Sequence, residues 1–240
     1  MIDPFVLLAP VLLLAVLALL QFVGCDVLLG LTPITPVAPE PIAFVQVAAN
    51  TPQSPQSTVS VTYPEPQTAG NLNIVVVGWN DATSAVTSVT DSQLNTYLRA
   101  VGPTQGTGLS QSIYYASNIK RGSNMVTVTF DNTVQFPDIR VLEYSGADAL
   151  DVTAEASGNS DTSSSGSATT TQPNELIFGA NTVATTTQGP GNGFTSRVIT
   201  SPDGNIAEDM VVSTAGSYSA TASLTSSGPW VMQMATFYQS

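Results

Sequence analysis

The chain has 240 residues, only 9% of them charged, with a net charge of −12 and five basic side chains. So few cations cannot neutralise a row of phosphates, which excludes nucleic acid as a partner. The absence of histidine removes Ser-His-Asp and Cys-His catalysis, His-ligated zinc and imidazole proton relays together, and a lone cysteine leaves no internal disulfide or multi-cysteine metal centre.

In chain order the first element is an apolar run from Phe5 to Cys25, broken only by Gln21. It would make about 30 Å of helix, the thickness of a bilayer's hydrocarbon layer. Asp3 and Pro4 supply a helix cap and a first-turn proline, and Asp26 marks the far end. The run reads as a retained transmembrane anchor over residues 1–31. A cleaved signal peptide would need a basic leader and a shorter apolar core, and the start here is Met-Ile-Asp. Lipidation of Cys25 in "FVGC" is an alternative, weakened by the same missing basic residues. With only Leu, Ala, Val and similar residues on offer, the helix would pack on neighbouring spans through Ala9, Ala15 and Ala18. No basic residue flanks it, so charge says nothing of orientation. Ser, Thr, Asn and Gln fill the surface role usually held by Lys and Glu, as in exported β-proteins, and this predicts a periplasmic or cell-surface position for the rest of the chain.

Residues 32–41 carry closely spaced prolines and read as an extended linker. Residues 42–240 then alternate between strand and turn. "STVSVTY" puts Val59, Val61 and Tyr63 on one face, whereas "NLNIVVVGW" is continuously apolar, as in a strand buried on both sides. "LSQSIYYA", "NMVTVTF", "DIRVLEY", "ELIFGA", "TSRVIT", "AEDMVV", "SYSATASL" and "WVMQMATF" come next, separated by turns such as "KRGSN" and "SPDGN". The pattern predicts an all-β fold of two packed antiparallel sheets, a sandwich with jelly-roll topology. The Ser/Thr-rich residues 157–174 read as a mobile loop with a polar edge strand.

"SVTDSQLNTY", "SQSIYYASNI", "NMVTVTF" and "RVLEYSG" together resemble uncharacterised bacterial extracytoplasmic jelly-roll modules. The resemblance spans most of residues 71–145 and implies fold and export without an activity. Leu94 occupies the position where that pattern has glycine, so the turn must be rebuilt or the leucine buried.

Chemistry is thin. Paired carboxylates are the remaining catalytic option, and Glu143, Glu155, Glu175, Glu208 and Asp209 qualify by type alone; no catalytic residue and no cofactor are assigned. "SPDGNIAED" offers Asp203 and Asn205 as calcium ligands, against plain turn chemistry for the same Asp-Gly pair. Trp79 reads as core, and Trp230, after Gly-Pro at a strand start, as a surface aromatic. The expected function is a non-catalytic structural or accessory subunit, anchored in the bilayer beside other membrane proteins of a larger complex, photosynthetic or respiratory assemblies being the commonest hosts. Two alternatives are a surface carbohydrate-binding or adhesion module and a filament subunit with bundled N-terminal helices.

Overall fold

A computed structural model describes residues 40–240 of the chain. The expected anchor over residues 1–31, with Ala9, Ala15, Ala18 and Cys25, and nearly all of the linker lie outside the described residues. Among the described residues there is no helix long and apolar enough to cross a membrane.

The described chain is all-β and antiparallel. A central sheet has the order β1-β8-β3-β6-β5, built from Ala43–Asn50, Asp138–Ser145, Leu72–Trp79, Ser110–Ala116 and Leu98–Gln105. One of its faces is covered by the sheet β2-β7-β4, from Gln56–Thr62, Met125–Val134 and Val86–Asp91. Its other face packs on a third sheet with β11 (Glu175–Val183), β13 (Thr195–Ile199), β14 (Ile206–Val212) and the long β16 (Thr221–Tyr238) in the order β16-β11-β14-β13. There β9 (Ala149–Ser164) flanks β16, β12 (Thr187–Pro190) pairs with its first residues, and a ribbon of β10 (Ala168–Thr169) with β15 (Ser217–Tyr218) lies apart.

The period-two alternation of strands explains the layering. On β3, Leu72, Ile74 and Val76 meet Leu176, Phe178, Ala235 and Phe237 of the third sheet. Its odd residues Val75, Val77 and Trp79 meet Val59, Val61, Val126, Val128 and Phe130 of the covering sheet. Trp79 is fully buried, its ring edge-on to Phe130 at 5.6 Å. On β11 and β16 the second face is apolar too, with Ile177, Met232 and Met234 under Phe194, Ala220 and Leu224. The expected two-sheet arrangement is thus corrected to three stacked sheets. A strand apolar on both faces needs a cover on each side, and β3 and β11 both are. Gly78 is required where two sheets come close, because a Cβ there would strike the Thr182 hydroxyl.

The low-complexity segment is also corrected. Residues 157–164 belong to β9, which runs along β16 from Ala149 to Ser164 with two shifts of register, one near Ser160 and one between Leu150 and Thr153. The buried β16 needs a hydrogen-bonding partner at both edges, and alternate Ser and Thr side chains can face solvent at little cost.

The "VTDSQLNTY" turn keeps its left-handed residue without glycine. Leu94 has φ of +58° and its side chain is 79% exposed, so it is neither rebuilt away nor buried. The strain is held by Asp91, whose carboxylate accepts bonds from the Asn95 amide (2.9 Å), Asn95 Nδ2 (2.7 Å), Asn124 Nδ2 (2.8 Å) and the Tyr97 hydroxyl (3.0 Å). Lys120 closes the turn by donating to the Gln93 carbonyl at 2.9 Å. Asp91→Ala is expected to lower stability by about 3 kcal/mol, since several bonds to one charged group go at once and the Asn124 donor is left buried. Leu94→Gly should change it by less than about 1 kcal/mol, relieved strain offsetting lost chain stiffness. Urea unfolding of the two variants checks this, and comparable losses in both would refute the role given to Asp91.

Candidate functional site

At one end of the stacked sheets five connections converge. The β1–β2 connection brings Gln53, the end of β3 brings Asn80, and the β7–β8 turn brings Phe136. The β11–β12 turn contributes Thr185, and the β13–β14 turn contributes Pro202, Asp203 and Asn205. They line a cleft of about 240 Å³.

Beneath it lies a buried ion pair. Arg140 Nε stands 2.8 Å from Asp138 Oδ1, and the two side chains are 0% and 1% exposed. The contact is one of charge, since neither atom completes a hydrogen bond there. The rest of the guanidinium reaches across to the third sheet, donating from one nitrogen to the carbonyls of Asn181 (2.9 Å) and Ile206 (2.6 Å). Burial pulls the Arg140 guanidinium below its ordinary pKa, with the Asp138 charge opposing. Asp138 Oδ2 accepts from Thr200 Oγ1 at 2.6 Å and Asn205 Nδ2 at 2.8 Å. The polar layer continues inward, where Gln111 Nε2 donates to Ala180 O at 2.8 Å and its oxygen accepts from Thr182 Oγ1 at 2.8 Å.

The two sequence-predicted calcium ligands are turned in different directions. Asp203 Oδ1 accepts from Gln53 Nε2 at 2.7 Å, while its Oδ2 is buried at the cleft without a partner. Burial holds this carboxyl above its usual range, helped by the Asp138 charge and opposed by the Gln53 bond. Asn205 faces the framework, its Oδ1 accepting from the Val183 amide at 2.8 Å. Its oxygen is therefore already committed, and among the described residues no group of three His, Cys, Asp or Glu side chains lies together. Trp230 is corrected from surface to interior. It is 8% exposed, its indole N–H donates to Ser160 Oγ at 2.8 Å, and Gly158 leaves room for the ring. Its cover comes from β9, whose Gly158 pairs directly with Trp230, a partner the sequence pattern did not display.

The carboxylates picked by type are scattered and mostly internal. Glu143 accepts from Asn71 Nδ2 at 2.7 Å and the Thr68 amide at 3.0 Å. Asp209 takes a two-pronged bond from Arg197 (2.7 and 2.8 Å) and one from the Tyr144 hydroxyl at 2.6 Å. Arg197 also lies 4.3 Å over the Phe44 ring. Glu208, on the opposite face of β14, is fully buried. One of its oxygens accepts from the Gly191 amide at 2.9 Å and the other has no partner. Burial, with a smaller push from Asp209, raises its pKa to about 7. Glu155, at the rim of β9, meets Thr104. Sequence reading missed Gln53, Asn80, Phe136 and Thr185 altogether. One signal was available: "DIRVLEY" puts three charged residues, Asp138, Arg140 and Glu143, into one predicted strand.

Comparison with protein-family models, curated proteins and solved structures finds no match. The class therefore rests on the molecule itself, an all-β module of stacked antiparallel sheets with a polar cleft at one end.

Proposed function

We propose that the chain is a non-catalytic accessory subunit, its β-module carried outside the cytoplasm and tethered to the bilayer by the apolar residues 5–25. The carrying observation is where the acids are spent. Asp91, Asp138, Glu143, Glu175, Glu208 and Asp209 are each less than 9% exposed, and five of them brace strands or turns through the bonds described above. Glu175 does the same locally, accepting from the Gln172 amide at 3.1 Å. A module that holds six carboxylates inside as braces is organised for rigidity. The strand orders β1-β8-β3-β6-β5 and β2-β7-β4 support a jelly-roll reading of residues 43–145, with β5 beside β6 in place of β4. The third sheet then extends it.

The partners on this reading are other membrane subunits, a photosynthetic or respiratory assembly among the candidates, met through uncharged polar surface and isolated aromatic side chains. Such contacts are little screened by salt. Native membranes washed at rising salt should therefore retain the protein, and mild solubilisation should yield it in fixed stoichiometry with larger subunits. Release by salt alone, or purification as a free monomer, would overturn the reading.

A further inference from the structure

We propose that the cleft bounded by Gln53, Asn80, Phe136, Thr185 and Asp203 is a binding site for a polyhydroxylated ring, a monosaccharide unit of a glycan. Three observations carry it, and none depends on the protein's membership of a complex.

The first is the pair of unsatisfied oxygens. Asp203 and Thr185 both line the cleft, and in each a side-chain oxygen just behind the surface, Asp203 Oδ2 and Thr185 Oγ1, is buried with no hydrogen-bond partner among the described residues. A buried polar atom without a partner calls for an explanation, and beside a cleft a ligand or water supplies one. The cleft, at about 240 Å³, is several times the roughly 30 Å³ that one water occupies in the liquid, so a six-membered sugar ring fits within it.

The second is charge. A divalent cation would find a single carboxylate in the lining, Asp203, with Asn205 Oδ1 turned to the Val183 amide and the fixed Arg140 cation beneath. An anion would be repelled by Asp203 and Asp138. A neutral hydroxyl suffers neither penalty. It donates to the carboxylate oxygen in a charge-assisted bond and can exchange a second bond with Thr185. Asn80, exposed at the rim, offers both an amide donor and an acceptor.

The third is the wall. Phe136 is held at φ of +44° and remains 41% exposed. A bulky residue in the left-handed region is uncommon and tends to mark functional sites. Its ring gives the C–H face of a sugar an apolar surface beside the polar end, the usual division of labour in a ligand pocket.

The test is calorimetric titration of the full chain, held in a detergent with no sugar headgroup, with D-glucose, D-galactose, D-mannose and N-acetyl-D-glucosamine at millimolar concentrations. At least one should bind. Asp203→Asn, which keeps an oxygen for Gln53, should weaken that binding roughly tenfold. Thr185→Val should weaken it about fivefold without lowering the melting temperature, because the hydroxyl it removes has no partner to lose. Phe136→Gly should weaken it by a similar factor while relieving the backbone. No heat from any of the four sugars overturns the proposal. So does sugar binding indifferent to all three substitutions, or a response of the cleft to calcium chloride with none to sugar.

Discussion

Arg140→Ala is expected to destabilise residues 40–240 by about 3–5 kcal/mol, the loss seen when one partner of a buried ion pair is removed. That is a large part of the roughly 5–15 kcal/mol that holds an ordinary domain together. The substitution strips Asp138 of its counter-charge at 1% exposure and leaves the carbonyls of Asn181 and Ile206 without the donor they share. It also opens a void between the central and third sheets, because Arg140 is among the largest fully buried side chains. The damage should come mainly from the abandoned charge. Arg140→Met combined with Asp138→Asn should therefore recover a substantial fraction, since the amide oxygen kept by Asp138→Asn would still accept from Thr200 and Asn205. Denaturant unfolding of Arg140→Met, Asp138→Asn and the double variant, read as a cycle, with Arg140→Ala measured beside them, tests this. A loss below about 1 kcal/mol for Arg140→Ala, or strict additivity of the pair, would show that the ion pair does not brace the sheets.

Stability should fall as pH rises from about 4.5 to 7, and Glu208 should be the main cause. Its folded pKa is about 7 against an ordinary 4.5. The folded state therefore holds a proton that the unfolded chain has released, and stability declines wherever the folded state binds more protons. Below about 4.5 both states are protonated and no penalty exists; above about 7 the penalty is complete, on the order of 3 kcal/mol from the difference in pKa. Asp203 and Glu175, also raised by burial, act in the same direction. Asp81 and Asp151 are lowered despite some burial, by bonds from Ser84 and Thr83 and from Thr171 respectively, so their contribution is lost only in stronger acid. Glu208→Gln should flatten the profile between about 4.5 and 7 and stabilise the protein at pH 8. Melting temperature followed across pH for both proteins decides it. A profile that keeps its slope in the variant would assign the effect to another group.

Much of the strand pattern was legible because it is local. The alternation in "STVSVTY" and the two-sided apolar run "NLNIVVVGW" appear as β2 and β3, buried as those patterns require. The second of these already implied more than a two-sheet sandwich, since a strand buried on both faces has a layer above and below. The long β9 was hidden for a different reason. Its Ser- and Thr-rich half has weak periodicity, and it is a strand because β16 supplies a partner along its length.

What the sequence by itself determined is thus the all-β class, the turn positions, the absence of histidine and cysteine chemistry in the module, and an apolar first segment of bilayer length. These depend on composition and on residues a few positions apart. Only the tertiary structure decided which polar side chains meet. Gln53 and Asp203 touch across 150 positions, Arg140 and Ile206 across 66, and Asn205 and Asp138 across 67. Such pairs leave no period in the sequence, because each member is placed by the register of a different strand. For the same reason Asp203 and Asn205 part company although they sit two residues apart in one turn: the first faces the cleft and the second bonds the framework.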